Sequence, residues 1–429
     1  MTVDELTAES QRSVEEEALH CVRCGECLSV CPVYRETRIE TLSPRGKVAL
    51  YRAAGEGNLE IGEVYADKFY TCLMCEACRE TCPSGVELDL ILNQARSDLA
   101  HDGLTPGSLQ RLSETIVAAG NISGEDNEQR LGWTANLESR PAGLDHGGQA
   151  EVAYFVGCVS ALFPASYRIP QSLVEIFEKA GVNYALLDGD ERCCGYPLFL
   201  NGEVERAVEM ARHNVEAVRA TGATRLVMSC PSCYHMWKHT YPELLDDGGV
   251  DGLEILHETE MLAGLARAGR LHFKSWPVTV TYHDSCDLGR KSGIFEPPRE
   301  VLRAIPELEL VEMAEHHENS LCCGGGGNLE TYDRELAQAL PRRRLRQAQE
   351  AGAKYIVVSC QQCKRTLAGA ARRERIRIRV MDLAEVVARQ AEGEWPCAHS
   401  RRQAVLDKSI YPAPALQASV HRVLGKRDA

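Results

Sequence analysis

The chain has 429 residues, 44% of them hydrophobic and 26% charged, the balance of a soluble globular protein with two or three domains. Its formal net charge of −14 excludes a protein that works on nucleic-acid phosphates, because Lys and Arg drive such binding. No apolar run approaches the roughly 18–20 residues of a membrane helix, and the acidic stretch Met1 to Glu17 has no apolar leader core.

Nineteen cysteines without a leader point to a reducing compartment, where metal binding outweighs disulfides. The expected location is therefore the cytoplasm or the cytoplasmic face of a membrane. Eighteen of the nineteen fall into four sets of two kinds.

The first block, 1–105, holds two Cys-x2-Cys-x2-Cys-x3-Cys-Pro runs: Cys21, Cys24, Cys27 and Cys31 before Pro32, then Cys72, Cys75, Cys78 and Cys82 before Pro83. Around them the apolar period is helical, as in Leu88, Ile91, Leu92, Ala95 and Leu99, and strand signals are missing. This block is expected to be a small helical ferredoxin-like domain around two cubane [4Fe–4S] clusters. In two-cluster ferredoxins the fourth cysteine of a run serves the other cluster. That rule gives Cys21, Cys24, Cys27 and Cys82 for one cluster and Cys72, Cys75, Cys78 and Cys31 for the other. Zinc prefers two CxxC pairs and leaves the closing Cys-Pro unexplained.

Residues 106–149 form the expected linker; from Gly120 to Gln149 they are polar and rich in Gly, Asn, Ser and Asp, with one turn around Trp133.

From 150 to 390 the chain is duplicated. Cys158, Cys193, Cys194, Cys230 and Cys233 are answered by Cys286, Cys322, Cys323, Cys360 and Cys363 at an offset of 128–130 residues. Each copy, 150–257 and 258–390, opens with a strand (Val152–Val156, Val278–Tyr282) running into its first cysteine. In each, an amphipathic helix (203–220, 333–351) leads to a second strand that runs into a CxxC, and Pro341 starts or kinks the second helix. The first copy adds a helix ending near Gly181 and a strand at Val182–Leu187. Strand–helix–strand alternation implies a parallel, Rossmann-like sheet whose ligands sit beyond the carboxyl ends of its strands. Cys158, Cys230, Cys286 and Cys360 fall there. The overall class is α+β multidomain. Gly195 and Gly324 allow a sharp turn after each cysteine pair. The run Gly324–Gly327 lacks the Lys-Ser/Thr of a phosphate loop, and no GxGxxG follows a strand, so flavin and nicotinamide are not expected here.

Cys-(about 35)-Cys-Cys-Gly-(about 35)-Cys-x-x-Cys, present twice behind a two-cluster ferredoxin block, resembles the cysteine-rich CCG domains of heterodisulfide reductases, and the whole layout resembles their fused catalytic subunit. The resemblance implies two noncubane [4Fe–4S] clusters, one on Cys158, Cys193, Cys194, Cys230 and Cys233, the other on Cys286, Cys322, Cys323, Cys360 and Cys363. It implies electron transfer to a small disulfide or thiol substrate held between them. Similar iron–sulfur subunits of glycolate oxidase, anaerobic glycerol-3-phosphate dehydrogenase and lactate-utilisation complexes instead pass electrons from a flavoprotein towards quinone. The implied partners are a flavoprotein or a membrane cytochrome b or other quinone-linked subunit. One departure is Gln361-Gln362 inside the second CxxC, against Pro231-Ser232 in the first, which bears on pocket shape.

His283 before Cys286 is the one catalytic candidate, as a proton donor to a leaving thiolate or a hydrogen-bond donor to cluster sulfur, against a structural histidine at a strand end. His235 is a weaker candidate, His316 and His317 read as a solvated loop, and Arg290 and Lys291 as anion attractors or solvent-facing cations. Cys397 reads as a free cysteine in a tail, 391–429, whose Arg401, Arg402, Lys408, Arg422, Lys426 and Arg427 suit a solvated end or a docking segment.

Overall fold

The computed structural model describes residues 14–145, 150–245 and 248–392. Cys397 and the basic tail lie outside them.

Up to residue 119 the described chain is helical. Cys31 caps the helix Pro32–Thr37, its sulfur accepting from Tyr34 N at 3.5 Å, and Pro32 sits at the first turn, where a missing N–H does no harm. The helix Leu88–His101 buries Leu88, Ile91, Leu92, Ala95 and Leu99, the stripe read from the sequence, and also Arg96. Arg96 is wholly buried because it is a connector. It donates to Phe69 O and Cys72 O in its own block and, at 2.8 Å, to Leu200 O in the first repeat. Nearby, Gly202 (φ 87) lies so close that a Cβ on it would meet Arg96 O at 2.2 Å.

Within 106–149, expected as a linker, the described residues 106–145 carry ordered elements. The helix Gly107–Ala119 buries Leu109, Leu112 and Ile116, and the 3-10 stretch Asn127–Asn136 buries Trp133 and Arg130. A 3-10 stretch has no 3.6-residue apolar period, so pattern reading passes over it.

The duplicated half holds two parallel four-stranded sheets. The first contains β1 (Val152–Phe155), β2 (Tyr184–Leu186), β3 (Arg225–Met228) and β4 (Glu254–His257), in the order β2-β1-β3-β4. The second repeats that order with β5 (Val278–Tyr282), β6 (Leu308–Val311), β7 (Tyr355–Val358) and β8 (Arg379–Asp382), as β6-β5-β7-β8. The central strand residues Ala153, Tyr154, Leu226, Val227, Ile356 and Val357 are all at 0% exposure, as expected of sheets covered on both faces. The helix after β2, Val204–Ala220, buries Ala207, Ala211, Val215 and Val218. Its counterpart is split at Leu340 into Arg334–Ala339 and Pro341–Glu350, so Pro341 starts a new helix.

The helices after the last strands exchange partners: Leu383–Gln390, after β8, packs on Arg168–Ala180 of the first repeat, and Glu258–Arg267, after β4 and just past the expected boundary at 257, packs on Glu296–Arg303 of the second. Val227, Leu262 and Ala263 thereby share one apolar cluster with Val357, Leu383 and Val387. The exchange brings the carboxyl ends of both sheets towards each other.

Candidate metal centre

In the helical block the loops carrying the two cysteine runs share a backbone form. Arg23 (φ 59) and Gly25 (φ 91) separate the first three cysteines, and Met74 (φ 50) and Glu76 (φ 58) separate the matching three. Left-handed residues at alternate positions curl the loop so that its sulfurs point inward; three of these four are not glycine, which marks a constrained site. The two loops line two hollows. Cys21, Cys24, Cys27 and Cys82 line one together with Cys78, and Cys31, Cys72, Cys75 and Cys78 line the other, so Cys78 borders both. Burial pushes the Cys27 thiol up to about 11 and the Cys31 thiol up to about 12, with nearby cysteine sulfurs adding to the rise. Such thiols ionise readily only beside a cation, so binding of metal displaces their protons.

In the duplicated half the ten cysteines form two matching series of thiols that perturb one another. One runs Cys158–Cys193–Cys194–Cys233–Cys230 and the other Cys286–Cys322–Cys323–Cys363–Cys360. All ten are buried. Cys158 follows β1, Cys230 follows β3, and the pair Cys193-Cys194 follows β2, each at the carboxyl end. Behind each pair a helix closes in: a Cβ on Gly195 would meet Ala207 at 3.2 Å, and one on Gly324 would meet Leu340 Cβ at 2.8 Å. Hydrogen bonds from its neighbours, Cys193 first, draw the Cys194 thiol down to about 6; Cys322 and Cys363 draw Cys323 down likewise. Five converging soft donors with little other polar company suit iron and sulfide.

The polar residues around the two chains differ. At the first, Arg130 donates to Cys158 Sγ at 3.2 Å and to Glu191 at 2.6 Å; Glu191 in turn accepts from Val156 N and Gly157 N at 2.7 and 2.8 Å. Neither Arg130 nor Glu191 carried a sequence signal, since each is a lone charge in a polar stretch. At the second, His283 is fully buried; its Nδ1 accepts from Arg344 Nε at 3.0 Å, and a ring nitrogen lies within 4.8 Å of the Cys323 and Cys363 sulfurs.

Gln361 reaches out of its own repeat, donating to Val156 O at 2.9 Å and Ser229 Oγ at 3.1 Å and accepting from Ser160 N at 3.2 Å. Ser232 returns the reach, donating to Asp287 at 2.6 Å. The residues inside each CxxC therefore tie the repeats together.

Arg290 and Lys291 neither face solvent nor stand free for an anion. Arg290 donates to Cys75 O at 2.9 Å and to Glu318 O at 3.0 Å, clamping the second ferredoxin-type loop to the second repeat. Its Nη2 is buried with no hydrogen-bond partner among the described residues. Lys291 is buried against Asp287 (3.1 Å), Tyr196 OH (2.9 Å) and Glu76 (3.5 Å). His235 lies beside that group, 3.5 Å from Ser292 Oγ, and burial holds its pKa down to about 4. His316 and His317 do not form a solvated loop: both are half-buried, their Nδ1 atoms 2.7 Å apart, with His317 stacked on Phe295.

The two halves meet at the sulfurs. Cys75, in the second ferredoxin-type loop, lies in one buried cluster with Cys286 and Cys322 of the second repeat. The glycine run secures this meeting: a Cβ on Gly327 (φ 67) would overlap Cys72 O at 2.0 Å, and one on Gly326 would meet Leu73 O at 2.8 Å.

Residues 152–238 and 280–368 match the family described as cysteine-rich domain, and residues 17–86 match the 4Fe-4S dicluster domain. The D-type subunit of the dihydromethanophenazine:CoB–CoM heterodisulfide reductase of Methanosarcina acetivorans is 33% identical over 81% of this chain and 87% of its own length. Its counterpart in Methanosarcina barkeri is 32% identical over 86% of this chain and 92% of its own. The EtfAB:quinone oxidoreductase of Syntrophomonas wolfei is 28% identical over 72% of this chain and 48% of its own length. Iron–sulfur clusters are thus the cofactor class. No helix among the described residues is long and apolar enough to cross a membrane.

Proposed function

The chain belongs to the heterodisulfide reductase family of iron–sulfur oxidoreductase subunits, and on that premise we propose that it relays electrons through four [4Fe–4S] clusters to reduce a small disulfide to two thiols. We assign Cys21, Cys24, Cys27 and Cys82 to one cubane cluster, and Cys72, Cys75, Cys78 and Cys31 to the other. We assign Cys158, Cys193, Cys194, Cys230 and Cys233 to a noncubane cluster in one Rossmann-like CCG unit, 150–257. Cys286, Cys322, Cys323, Cys360 and Cys363 are assigned to its counterpart in 258–390. The clusters supply one-electron transfer and iron able to capture thiolate sulfur. Reduction of the disulfide takes two electrons and two protons, with the electrons coming from a partner redox subunit, a flavoprotein or a quinone-linked membrane protein. Thiols that must stay reduced suit the cytoplasm or the cytoplasmic face of such a partner.

The observation that carries this reading is the packing of Cys75 with Cys286 and Cys322 in one buried cluster, because it joins the proposed ligand set of the second ferredoxin-type cluster to that of the second repeat. Arg290, bound to Cys75 O and holding a buried unpaired N–H, keeps that junction rigid and electropositive. Electrons then run from the ferredoxin-like block into the second repeat, and from there to the first. Gln361, next to Cys360, donates to Ser229 Oγ, next to Cys230, at 3.1 Å, which supports the last step.

Anaerobic protein loaded with iron and sulfide tests the proposal by EPR. The expected result is a new paramagnetic signal when oxidised protein is titrated with a thiol. Full loading, no thiol-dependent signal and direct reduction of a quinone analogue would overturn it in favour of a pure relay, the reading that the likeness to EtfAB:quinone oxidoreductase favours.

A further inference from the structure

We propose that His283 is a fixed N–H donor to the sulfur of the second-repeat cluster, locked in that tautomer by Arg344, and that this pair sets the reduction potential of the site. The inference rests on the reading that the second repeat holds a cluster.

His283 follows β5 directly and is wholly buried. Its Nδ1 faces Arg344 Nε at 3.0 Å. A guanidinium has only donors and keeps its charge, so it can bond to Nδ1 only when Nδ1 carries a lone pair. The ring proton is therefore on Nε2. Arg344 cannot turn away: it is buried at 0% exposure, its Nη1 donates to Gln347 Oε1 at 2.9 Å and to Glu315 O, and its Nη2 donates to Ser320 Oγ at 3.1 Å. The tautomer is thus imposed by a side chain that is itself held from three directions.

The consequence falls on Nε2. It is a buried atom with no hydrogen-bond partner among the described residues; a ring nitrogen of His283 lies within 4.8 Å of the Cys323 and Cys363 sulfurs, and with Nδ1 taken by Arg344 the Nε2 proton is the one left for sulfur. Direct ligation of iron by Nε2 is the competing assignment, and the same Arg344 argues against it. A histidine that binds metal through one nitrogen gives its other N–H to an acceptor. Here the other nitrogen meets an obligate donor, so ligation would require an imidazolate. The five cysteines already complete the set.

The first repeat sharpens the point. The residue three before Cys158 is Phe155, packed edge-on against Trp237 at 5.8 Å, so no donor stands at the equivalent place. A hydrogen bond to sulfur stabilises the more negative, reduced cluster and raises its potential. His283 therefore makes the second-repeat site easier to reduce than its cysteines alone would. Arg344 is a positioning residue acting through His283.

The test is EPR-monitored redox titration of full-length, anaerobically loaded protein, comparing wild type with His283→Phe, which copies the first repeat, and His283→Gln, which keeps an acceptor for Arg344 and an N–H for sulfur. H283F is expected to retain iron and sulfide, shift the midpoint of the second-repeat signal to lower potential and leave the ferredoxin-type signals in place. H283Q is expected to recover most of that shift. In wild type labelled with 15N-histidine, electron–nuclear double resonance should give a weak coupling of hydrogen-bond size. An unmoved midpoint with iron retained, or a strong coupling from directly bonded nitrogen, would overturn the proposal. If H283F does not load, the wild-type coupling and the H283Q midpoint decide the matter. A wild-type second repeat that takes up no iron would sink the four-cluster reading instead.

Discussion

The two repeats share one sheet order, one five-thiol chain and reciprocal helix packing, yet the polar groups around their sulfurs have little in common. The first is served by Arg130, delivered from the segment before the sheet, with Glu191 as its counter-charge. The second is served by His283 and Arg344 from within its own repeat, and its Cys286 and Cys322 share a buried cluster with Cys75 of the helical block. Duplication has kept what ligation requires, cysteines at strand ends and glycine after each pair. What differs is what the protein uses to set the properties of each site. On the proposed path the second repeat receives the electrons and the first ends the relay.

Removing one ligand from each repeat breaks the comparison most severely. Cys322→Ser should lose the second-repeat iron and also stop electrons passing from the ferredoxin-type clusters to the first repeat. Cys194→Ser should lose only the first-repeat iron and leave the second reducible. Iron analysis with stopped-flow reduction by dithionite checks both, and equal behaviour of the two variants would show that the repeats are not in series.

Two glycines test the docking of the helical block. Ala at Gly202 would meet Arg96 O and Ala at Gly327 would meet Cys72 O, both with left-handed backbones. Each should lose more than the roughly 1–2 kcal/mol of a left-handed Ala, because the obstacle is main chain. Thermal melts should fall for both, whereas internal electron transfer should slow only in G327A, where the displaced backbone belongs to the loop carrying Cys72 and Cys75.

Arg130→Met removes one partner of a buried pair and strands Glu191, at a cost of about 3–5 kcal/mol. It should perturb the EPR line shape of the first-repeat cluster and spare that of the second. A matching change in both signals would mean that Arg130 supports the packing of the whole half.

These residues also mark how far the sequence could be read. Cysteine spacing, the duplication and the strands running into Cys158, Cys230, Cys286 and Cys360 were legible because ligation and sheet burial impose fixed spacings. The stripe on Leu88–His101 was legible for the same reason. Arg130 was not, since it lies on a 3-10 stretch without apolar period and its meaning depends on Glu191, 61 residues away. Arg290 reads as an anion attractor or a solvent-facing cation because nothing local announces that Cys75 O, 215 residues earlier, is its acceptor. Gln361 stands out in the sequence as a departure, but its partners lie in the other repeat. The left-handed Arg23, Met74 and Glu76 were invisible because glycine is the usual signal for that backbone and only Gly25 supplied it. Local chemistry is written in the chain; reach between units is decided by docking.

The smallest effect compares the repeats at their equivalent last strand positions. His257 ends β4 and caps the helix Glu258–Arg267; Asp382 ends β8 and caps Leu383–Gln390. Burial holds the His257 imidazole down to about 3, so its contribution is present above the unfolded value near 6.5 and is lost as pH falls towards 3. Burial raises Asp382 to about 7 and raises its neighbour Glu258 as well, so their contribution is present below the unfolded carboxyl values near 4 and is lost as pH rises through about 7. The trends oppose each other between about pH 4.5 and 6.5, each group with a slope of roughly 1.4 kcal/mol per pH unit, so two carboxyls against one imidazole leave wild-type stability falling with pH by about the slope of one group. His257→Asn, which keeps a capping side chain, should make that fall steeper. Glu258→Gln leaves one carboxyl against one imidazole and should flatten the profile. Urea midpoints across that window measure both slopes, and equal slopes in the two variants would show that one of these caps is not buried as described.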